Sequence, residues 1–400
     1  MTAQPLAGIR VLEVGAYIAA PYAGVFLASL GAEVVKIEPP EGEPFRRDDE
    51  NRSPYFVQYN SGKKSVAINL KSKTGVELVK ALLPKFDVLI ENMRPGKMAA
   101  LGLGEDVCRA INPGLVYASV SGFGSGGPWV DRPAYDTIGQ SIGGIYSIMN
   151  DADHRRLTGT CMADLITGIN ATMGVLAALV GRERSAERKG ALVETSLLEA
   201  VSTLTVDAMT LAFETGQDPA RDSRHPQAQN FCLDTADGGS ITMHLSSSQK
   251  FWRALARVIG REDLISDPRF ITYDDRRVPG HYAELVRIMG EAFATRPRAE
   301  WETLLADADV PFAPVLTMHE VVAHEQTRWL GLFGPEVNGV PMLRAPMRFD
   351  GVRPARSGHA AFVGEHTLEV LGEVCTERDL QALLASGDVV SVSRDRGQRG

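Results

Sequence analysis

The chain has 400 residues, 44% hydrophobic and 23% charged, with a formal net charge of −8. That length exceeds one ordinary core and argues for two domains, while the acidic balance excludes a broad nucleic-acid-binding surface, which needs a basic footprint. Four scattered cysteines with no CxxC pair, and eight histidines with no metal-ligand spacing, argue against a metal site and for a reducing compartment, the cytoplasm.

From the N-terminus, no basic leader precedes an apolar core, so no signal peptide is expected. Residues 9–14 read as a buried strand, 21–30 as a small-residue helix stopped at Gly31, and 33–37 as a strand ended by Pro39-Pro40. Strand, helix and strand in so short a span form a βαβ unit with parallel strands. A polar loop is expected over 41–60. After it come a strand at 65–69, a helix at 74–83, a strand at 88–91, short helices at 96–101 and 106–111, and a strand at 115–119. The pattern is an α/β fold with a doubly wound open sheet.

SGFGSGGPW follows, and Gly122, Gly124 and Gly127 satisfy GxGxxG. A dinucleotide fingerprint should open a helix directly and carry an acidic residue at the end of the next strand. Pro128 and Trp129 interrupt this copy and no such strand follows, so it reads as a tight loop that lets backbone approach a ligand. An apolar, glycine-containing segment covers 133–149.

Residues 158–180 organise the reading. Asp164 stands where a helix should begin, and Leu165, Ile166, Ile169, Met173, Leu176, Ala177 and Val180 recur at helical spacing, so a largely buried helix capped by Asp164 is expected. The helix dipole should keep the carboxylate ionised. An ionised carboxylate beside packed small residues can act as a nucleophile, although capping alone would also account for it. With Thr167, Asn170 and Thr172 inside it, the run is too short to span a bilayer comfortably.

A strand at 191–196 leads into a long helix at 197–214, and the polar stretch 215–229 reads as a linker. A smaller unit follows: a hairpin about Asp237-Gly238-Gly239, helices at 249–259, 282–293 and 298–307, and a crossing back over 310–322. His319 and His324, five residues apart, do not share a helix face and read as solvated. Residues 331–356 look extended, 364–374 and 377–387 helical, and 393–400 disordered.

Seven stretches in order carry a resemblance over nearly the whole chain: GIRVLEVGAYIAAPYAGVFLASLGAEVVKIEPPEG, KKSVAINLK, DVLIENMRPG, INPGLVYASVSGFGSGGP, the Asp164 region, TADGGSI and GEHT. Together they resemble the class III CoA-transferases, of the formyl-CoA transferase and carnitine CoA-transferase type. The resemblance implies an interlocked homodimer. Its large Rossmann-like domain would be built from residues 1–214 and 326–400, with a linker at 215–229 and a smaller α+β domain at 230–325. CoA thioesters would be substrate and product, with no permanently bound cofactor and no metal. Partners would be a small acyl-CoA, a carboxylate and a second copy, not nucleic acid or membrane.

The same resemblance assigns roles. Asp164 matches the catalytic aspartate, which passes through an acyl anhydride and an aspartyl-CoA thioester. Lys71, Asn92, Arg94 and Lys97 fall at or near CoA-contacting positions, and Tyr135 matches an aromatic near the thioester. Ala100 stands where an Arg is usual, so that one phosphate contact is either absent or supplied by Lys97. Ile18 stands where formyl-CoA members have Gln, which fits a less polar acyl group. Ser246 and Ser247 stand in place of a glycine-rich loop that shields the intermediate. They offer N–H or hydroxyl groups to an oxyanion, or equally they cap the helix holding Trp252. Related α-methylacyl-CoA racemases carry His-Asp where this chain reads Tyr135-Asp136, so the acid/base pair for moving an α-proton is incomplete. A racemase or hydrolase on the same fold is the alternative to transfer.

Overall fold

The computed structural model describes residues 4–46, 53–354, 356 and 358–392, so the tail expected to be disordered, 393–400, lies outside the described residues. The chain divides into two units, one formed by 1–146, 156–207 and 325–400, the other by 147–155 and 208–324.

In the first unit, strands β1 (Arg10–Val14), β2 (Glu33–Glu38), β3 (Lys64–Ile68), β4 (Val88–Glu91), β5 (Val116–Ser121) and β6 (Leu192–Ser196) pair in the order β3-β2-β1-β4-β5-β6, all parallel. Helix α1 (Ala19–Ser29) joins β1 to β2, α2 (Pro54–Asn60) precedes β3, and α3 (Lys73–Leu82) joins β3 to β4. Helices α4 (Lys97–Ala100) and α5 (Glu105–Ile111) follow β4; α6 (Asp136–Ile142), α7 (Ile145–Ile148) and α8 (Met162–Arg184) separate β5 from β6. Alternate residues of one strand enter different cores. Leu12 and Val14 pack with α3 residues such as Val79 and Leu82, whereas Val11 packs with Ala20, Ala171 and Val175 of α1 and α8. That alternation puts helices on both faces of the sheet.

Two segments depart from expectation. The loop expected over 41–60 contains α2: the Ser53 hydroxyl accepts the Phe56 N–H at 3.1 Å and Pro54 fills the first turn, a start signal of known type. Helix α8 begins at Met162, so its N-cap is Cys161 and Asp164 lies inside the first turn. Its most buried face is built mainly of small residues, with Ile166 and Leu176 of the expected face partly buried beside them. Ala163, Thr167, Gly168, Ala171 and Val175 are buried, while Ile169, Met173 and Val180 are 38%, 58% and 58% exposed. The close approach of α1 explains this: a Cβ on Gly168 would sit 2.8 Å from the Ala19 carbonyl oxygen. Only a small side chain fits there, and Ile169, Met173 and Val180 turn outward. The helix runs 23 residues, longer than expected from its sequence.

Buried charge ties the carboxyl ends of β1 and β2 to the start of β3. Glu13, at 0% exposure, receives Lys36 Nζ at 2.9 Å and Lys63 Nζ at 2.7 Å; Lys36 also donates to the Gly15 carbonyl at 2.6 Å and Lys63 to the Pro21 carbonyl at 2.8 Å. Glu38 receives Arg46 through two bonds of 2.6 and 2.7 Å and the Ser65 hydroxyl at 2.6 Å. Burial pushes the Lys63 ammonium down to about 8, against the pull of Glu13.

The long helix α9 (Leu197–Thr215) leads into the second unit. There α10 (His225–Ala228) precedes strands β7 (Asn230–Asp234) and β8 (Ser240–His244), which form the expected hairpin; β9 (Phe312–Pro314) adds antiparallel to β8, in the stretch read as a crossing. Helices α11 (Gln249–Val258), α12 (Tyr273–Arg277), α13 (Pro279–Phe293) and α14 (Arg298–Asp307) cover this sheet. Its core includes Trp252 and Phe270, with Phe293 stacked on Trp301 at 4.4 Å. Helix α15 (Met318–Ala323) closes the unit.

The chain then returns to the first unit through α16 (Glu325–Leu330), the hairpin β10 (Phe333–Val337) and β11 (Val340–Leu343), α17 (Thr367–Leu371), α18 (Glu377–Ser386) and β12 (Val389–Val390). The GEHT stretch fastens this return. Gly364 N–H donates to the Ser65 hydroxyl at 2.9 Å, His366 N–H to the Ser65 carbonyl at 2.9 Å, and Ala67 N–H to the Thr367 hydroxyl at 3.0 Å. Strand β12, not foreseen from sequence, pairs antiparallel with Ala67 and Ile68 at the β3 edge.

A Cβ on Gly24 of α1 would lie 2.0 Å from Glu13 Oε2. Gly24→Ala should therefore displace Glu13 from Lys63 and cost about 3 kcal/mol in urea unfolding. Gly181→Ala in α8, where a Cβ meets nothing within 4 Å, should be neutral or stabilising by up to about 1 kcal/mol.

Candidate active site

A cavity of about 530 Å³ opens at the carboxyl ends of β1 to β5 and lies wholly within the first unit. This is the edge of an open parallel sheet where ligands bind, at the point where strand order reverses between β1 and β4. Asp164, Ile18, Tyr135, Asn92, Lys71 and Arg94 all line it. These six residues, scattered over nearly 150 positions, are brought by the fold to one cavity.

Others stand elsewhere. Lys97 and Ala100 are exposed on α4 and do not line the cavity. Ser246 and Ser247 belong to the second unit, on the turn between β8 and α11, where Ser246 has φ of 51°. Their neighbour Ser248 caps α11, its hydroxyl accepting the Phe251 N–H at 3.4 Å. The cap of that helix is thus Ser248, and neither Ser246 nor Ser247.

Asp164 is held by a second carboxylate. Asp136 Oδ1 accepts the N–H groups of Ala163 at 2.9 Å and Asp164 at 3.1 Å. Asp136 Oδ2 accepts from the buried Gln140 amide at 2.5 Å, and that amide also donates to the Thr160 carbonyl at 2.8 Å. Asp136 therefore performs the capping expected of Asp164, from a different helix. The electrostatic consequence reverses the expectation that the dipole keeps Asp164 ionised. Burial first, and the Asp136 charge second, push the Asp164 carboxyl up to about 7. The exposed end of the helix dipole is already compensated by Asp136, and a half-buried second carboxylate beside it is disfavoured.

The β1 loop forms the adjoining wall. Asn92 grips it: its Oδ1 accepts the Ala16 N–H at 3.0 Å and its Nδ2 donates to the Ala16 carbonyl at 2.8 Å. That two-point bond makes Asn92 a brace for the loop. Glu91, just before it, accepts the Met93 N–H at 2.7 Å and the Ser119 hydroxyl at 2.5 Å. Tyr17 has φ of 65°, a left-handed conformation that side chains disfavour. It is kept there by Glu43, whose Oε2 accepts the Tyr17 N–H at 2.9 Å, and by edge-on contacts of its ring with Phe45 at 5.3 Å and Tyr135 at 5.7 Å. Strain of this kind persists only where surroundings enforce it, and it clusters at functional sites.

Cations stand at the rim. Lys71 and Arg94 are exposed, as is Arg132, whose guanidinium lies 4.0 Å over the Trp129 ring. Sequence reasoning missed Arg132, Tyr17, Glu43 and the role of Asp136. Asp136 had a signal, since it follows Tyr135 directly; a cap donated across 28 positions leaves no local pattern. The glycine loop after β5 opens no helix, α6 starting only at Asp136, while Gly122 lines the cavity. That agrees with a ligand-approach loop.

The chain matches the model of CoA-transferase family III over residues 6–367. It is 31% identical to a succinyl-CoA–D-citramalate CoA-transferase of Chloroflexus aurantiacus, covering 96% of this chain and 97% of that one. It is 32% identical to a succinate–glutarate CoA-transferase of Agrobacterium fabrum, covering 93% and 96%. Among solved structures it resembles a CAIB/BAIF family protein from Brucella suis, with a TM-score of 0.82, 30% identity and coverage of 94% and 100%.

The two-carboxylate arrangement makes a direct prediction. Carbon-13 NMR of aspartate-labelled protein, with Asp164→Asn to assign the signal, should show the Asp164 carboxyl titrating at about 7. In Asp136→Asn the amide oxygen can still accept both N–H groups while the charge is gone, so the titration should move to lower pH. An unmoved titration would remove Asp136 as a cause.

Proposed function

The chain belongs to CoA-transferase family III, and from that premise we propose that it moves CoA from a donor acyl-CoA, such as succinyl-CoA, to a small carboxylic acid through Asp164. The observation that carries the reading is a half-buried carboxyl of raised basicity on the wall of a cavity at the sheet's carboxyl edge. A carboxylate whose charge is destabilised by burial is a better nucleophile than a solvated one.

In this reading an Asp164 oxygen attacks the donor thioester carbonyl. The C–S bond breaks, CoA leaves as thiolate, and a mixed acyl–aspartyl anhydride remains. The thiolate then attacks the aspartyl carbonyl, releasing the donor acid as carboxylate and leaving an aspartyl-CoA thioester. The acceptor carboxylate attacks that thioester and expels the thiolate, giving a second anhydride. Attack of the thiolate on the acceptor's acyl carbon forms the new CoA ester and frees Asp164. Each covalent intermediate stays activated, so water must be kept out; Tyr17 and Tyr135, in edge-on ring contact on the cavity wall, support that role. Ionised Asp164 starts the cycle, so the first half-reaction should gain rate as pH rises through about 7.

Lys71, Arg94 and Arg132 at the rim suit the phosphates of CoA, with Ile18 and Tyr135 beside the acyl group. Asn92 contributes by fixing the loop that carries Ile18. The family's assembly comes with the proposal: an interlocked homodimer with a large Rossmann-like domain and a small one. The outward apolar residues Ile169, Met173, Val180 and Leu204 are consistent with a covered surface.

Mass spectrometry of CoA esters tests the function. Protein mixed with succinyl-CoA or acetyl-CoA and a panel of carboxylates should form a new CoA ester, and Asp164→Ala should lower that rate at least about a thousandfold. Undiminished activity of Asp164→Ala would sink the role given to it. Thioester lost only to water would mark a hydrolase.

A further inference from the structure

The segment that returns to the first unit holds a cluster of cations that the cavity does not use. In RFDGV, residues 348–352, Asp350 and Gly351 have φ of 48° and 78°, the left-handed pair that a two-residue hairpin turn requires. Phe349 and Val352 accordingly exchange both N–H to carbonyl bonds at 2.8 Å. The next residues outward, Arg348 and Arg353, are thereby set on opposite arms of the turn, an arrangement in which like charges are destabilising. Their guanidinium groups nevertheless converge. Arg348 Nη2 and Arg353 Nη2 donate to one oxygen, the Leu330 carbonyl, at 2.8 and 3.1 Å.

Arg344 joins them. Its stem lies across β10, where a Cβ on Gly334 would stand 3.3 Å from Arg344 Cγ. Its Nη1 donates to the Gly331 carbonyl at 3.4 Å and its Nη2 to the Arg353 carbonyl at 3.3 Å. Arg353 Nη1 donates to the Ala345 carbonyl, while its Nε is closed off from solvent and has no hydrogen-bond partner. Among the described residues, every hydrogen bond these three side chains make goes to a backbone carbonyl, and no carboxylate pairs with them, nearby Asp350 included. Partial burial, and then the charges of Arg348 and Arg344, hold the Arg353 guanidinium below its ordinary value. Capping of helix α16, which ends at Leu330, accounts for one such cation and not for three. The carbonyl end of a helix offers only roughly half an elementary charge.

We propose that Arg344, Arg348 and Arg353 form a binding site for a phosphate dianion, free or carried by a nucleotide, separate from the cavity that holds Asp164. None of the three lines that cavity. Guanidinium forks match phosphate oxygens in geometry, and two negative charges offset the surplus better than the single charge of a carboxylate. The site is open to such a ligand: Arg348 is exposed and lies 5.5 Å over the ring of Trp329, itself 71% exposed. The proposal does not depend on the transferase reading.

Trp329, beneath Arg348, supplies the readout. Tryptophan emission of the full-length protein is titrated at about pH 8, where a phosphate group is a dianion. The titrants are inorganic phosphate, AMP and acetate, at constant ionic strength. Phosphate and AMP should shift the emission saturably, in Trp129→Phe as in wild type, and acetate should not. Trp329→Phe should abolish the shift. Tighter binding of AMP would assign the phosphate to a nucleotide, and equal binding to the free ion. Arg348→Gln and Arg353→Gln should each weaken phosphate binding at least about tenfold. An acetate response equal to that of phosphate overturns the site, as does no saturable shift with phosphate or AMP; both results are read on wild type and need no variant to fold. A shift lost in Trp129→Phe and kept in Trp329→Phe would move the phosphate to the cavity rim and overturn the proposal. So would Arg348→Gln protein that sediments as a smaller species with its phosphate response undiminished, because the cations would then serve a second copy of the chain.

Discussion

The cavity end of the sheet is held together by carboxylates that no water reaches. Glu13 and Glu38 leave neighbouring strands and are answered by Lys36, Lys63 and Arg46, all within a few per cent of full burial. Replacing such pairs by apolar residues often costs nothing, but removing a single partner strands a charge in low dielectric. The arrangement is therefore all or nothing, and it fixes more than stability. The same lysines hold the carbonyls of Gly15, where the loop that forms a wall of the cavity begins, and of Pro21, in the first turn of the helix that follows it. The strained Tyr17 and its neighbour Ile18 hang between these points, so their placement follows from a balance of buried charge several ångströms beneath them.

A second pair of acidic groups acts in the opposite sense. Asp136 and Asp164 are both carboxylates, but one is satisfied by backbone N–H groups and the other is left beside it with little water. The capped one takes the stabilisation that a helix start offers, and the uncapped one keeps its basicity. Division of labour between two like groups arises here from environment alone, since nothing in the chemistry of the side chains distinguishes them.

Much of this was legible in the sequence. Strands such as Val88–Glu91 and helices such as Arg298–Asp307 follow from apolar periodicity bounded by breakers. Six wall residues followed from the family resemblance and the sheet's carboxyl edge. What escaped were features set at long range. The largest apolar residues of helix α8 suggest its core face, but the neighbouring helix admits only a small residue at Gly168, so that face is only partly buried, at Ile166 and Leu176. Asp164 was given a cap that Asp136 supplies from another element. The helix α2 was hidden in a polar stretch, although Ser53-Pro54 marks its start.

The way the chain comes home has a kinetic side. Ser65 is fastened to His366, 301 positions later, and the β3 edge is closed by a strand that follows still further on. At ribosomal rates the interval between synthesis of those partners is on the order of tens of seconds. Throughout it the β3 edge of a nearly complete parallel sheet has unpaired amides, the template that other chains can extend. Such long-range closure also folds slowly once the chain is released. The segment that completes the molecule last thus guards its vulnerable edge, and a ribosome stalled before GEHT would leave a nascent chain dependent on chaperones.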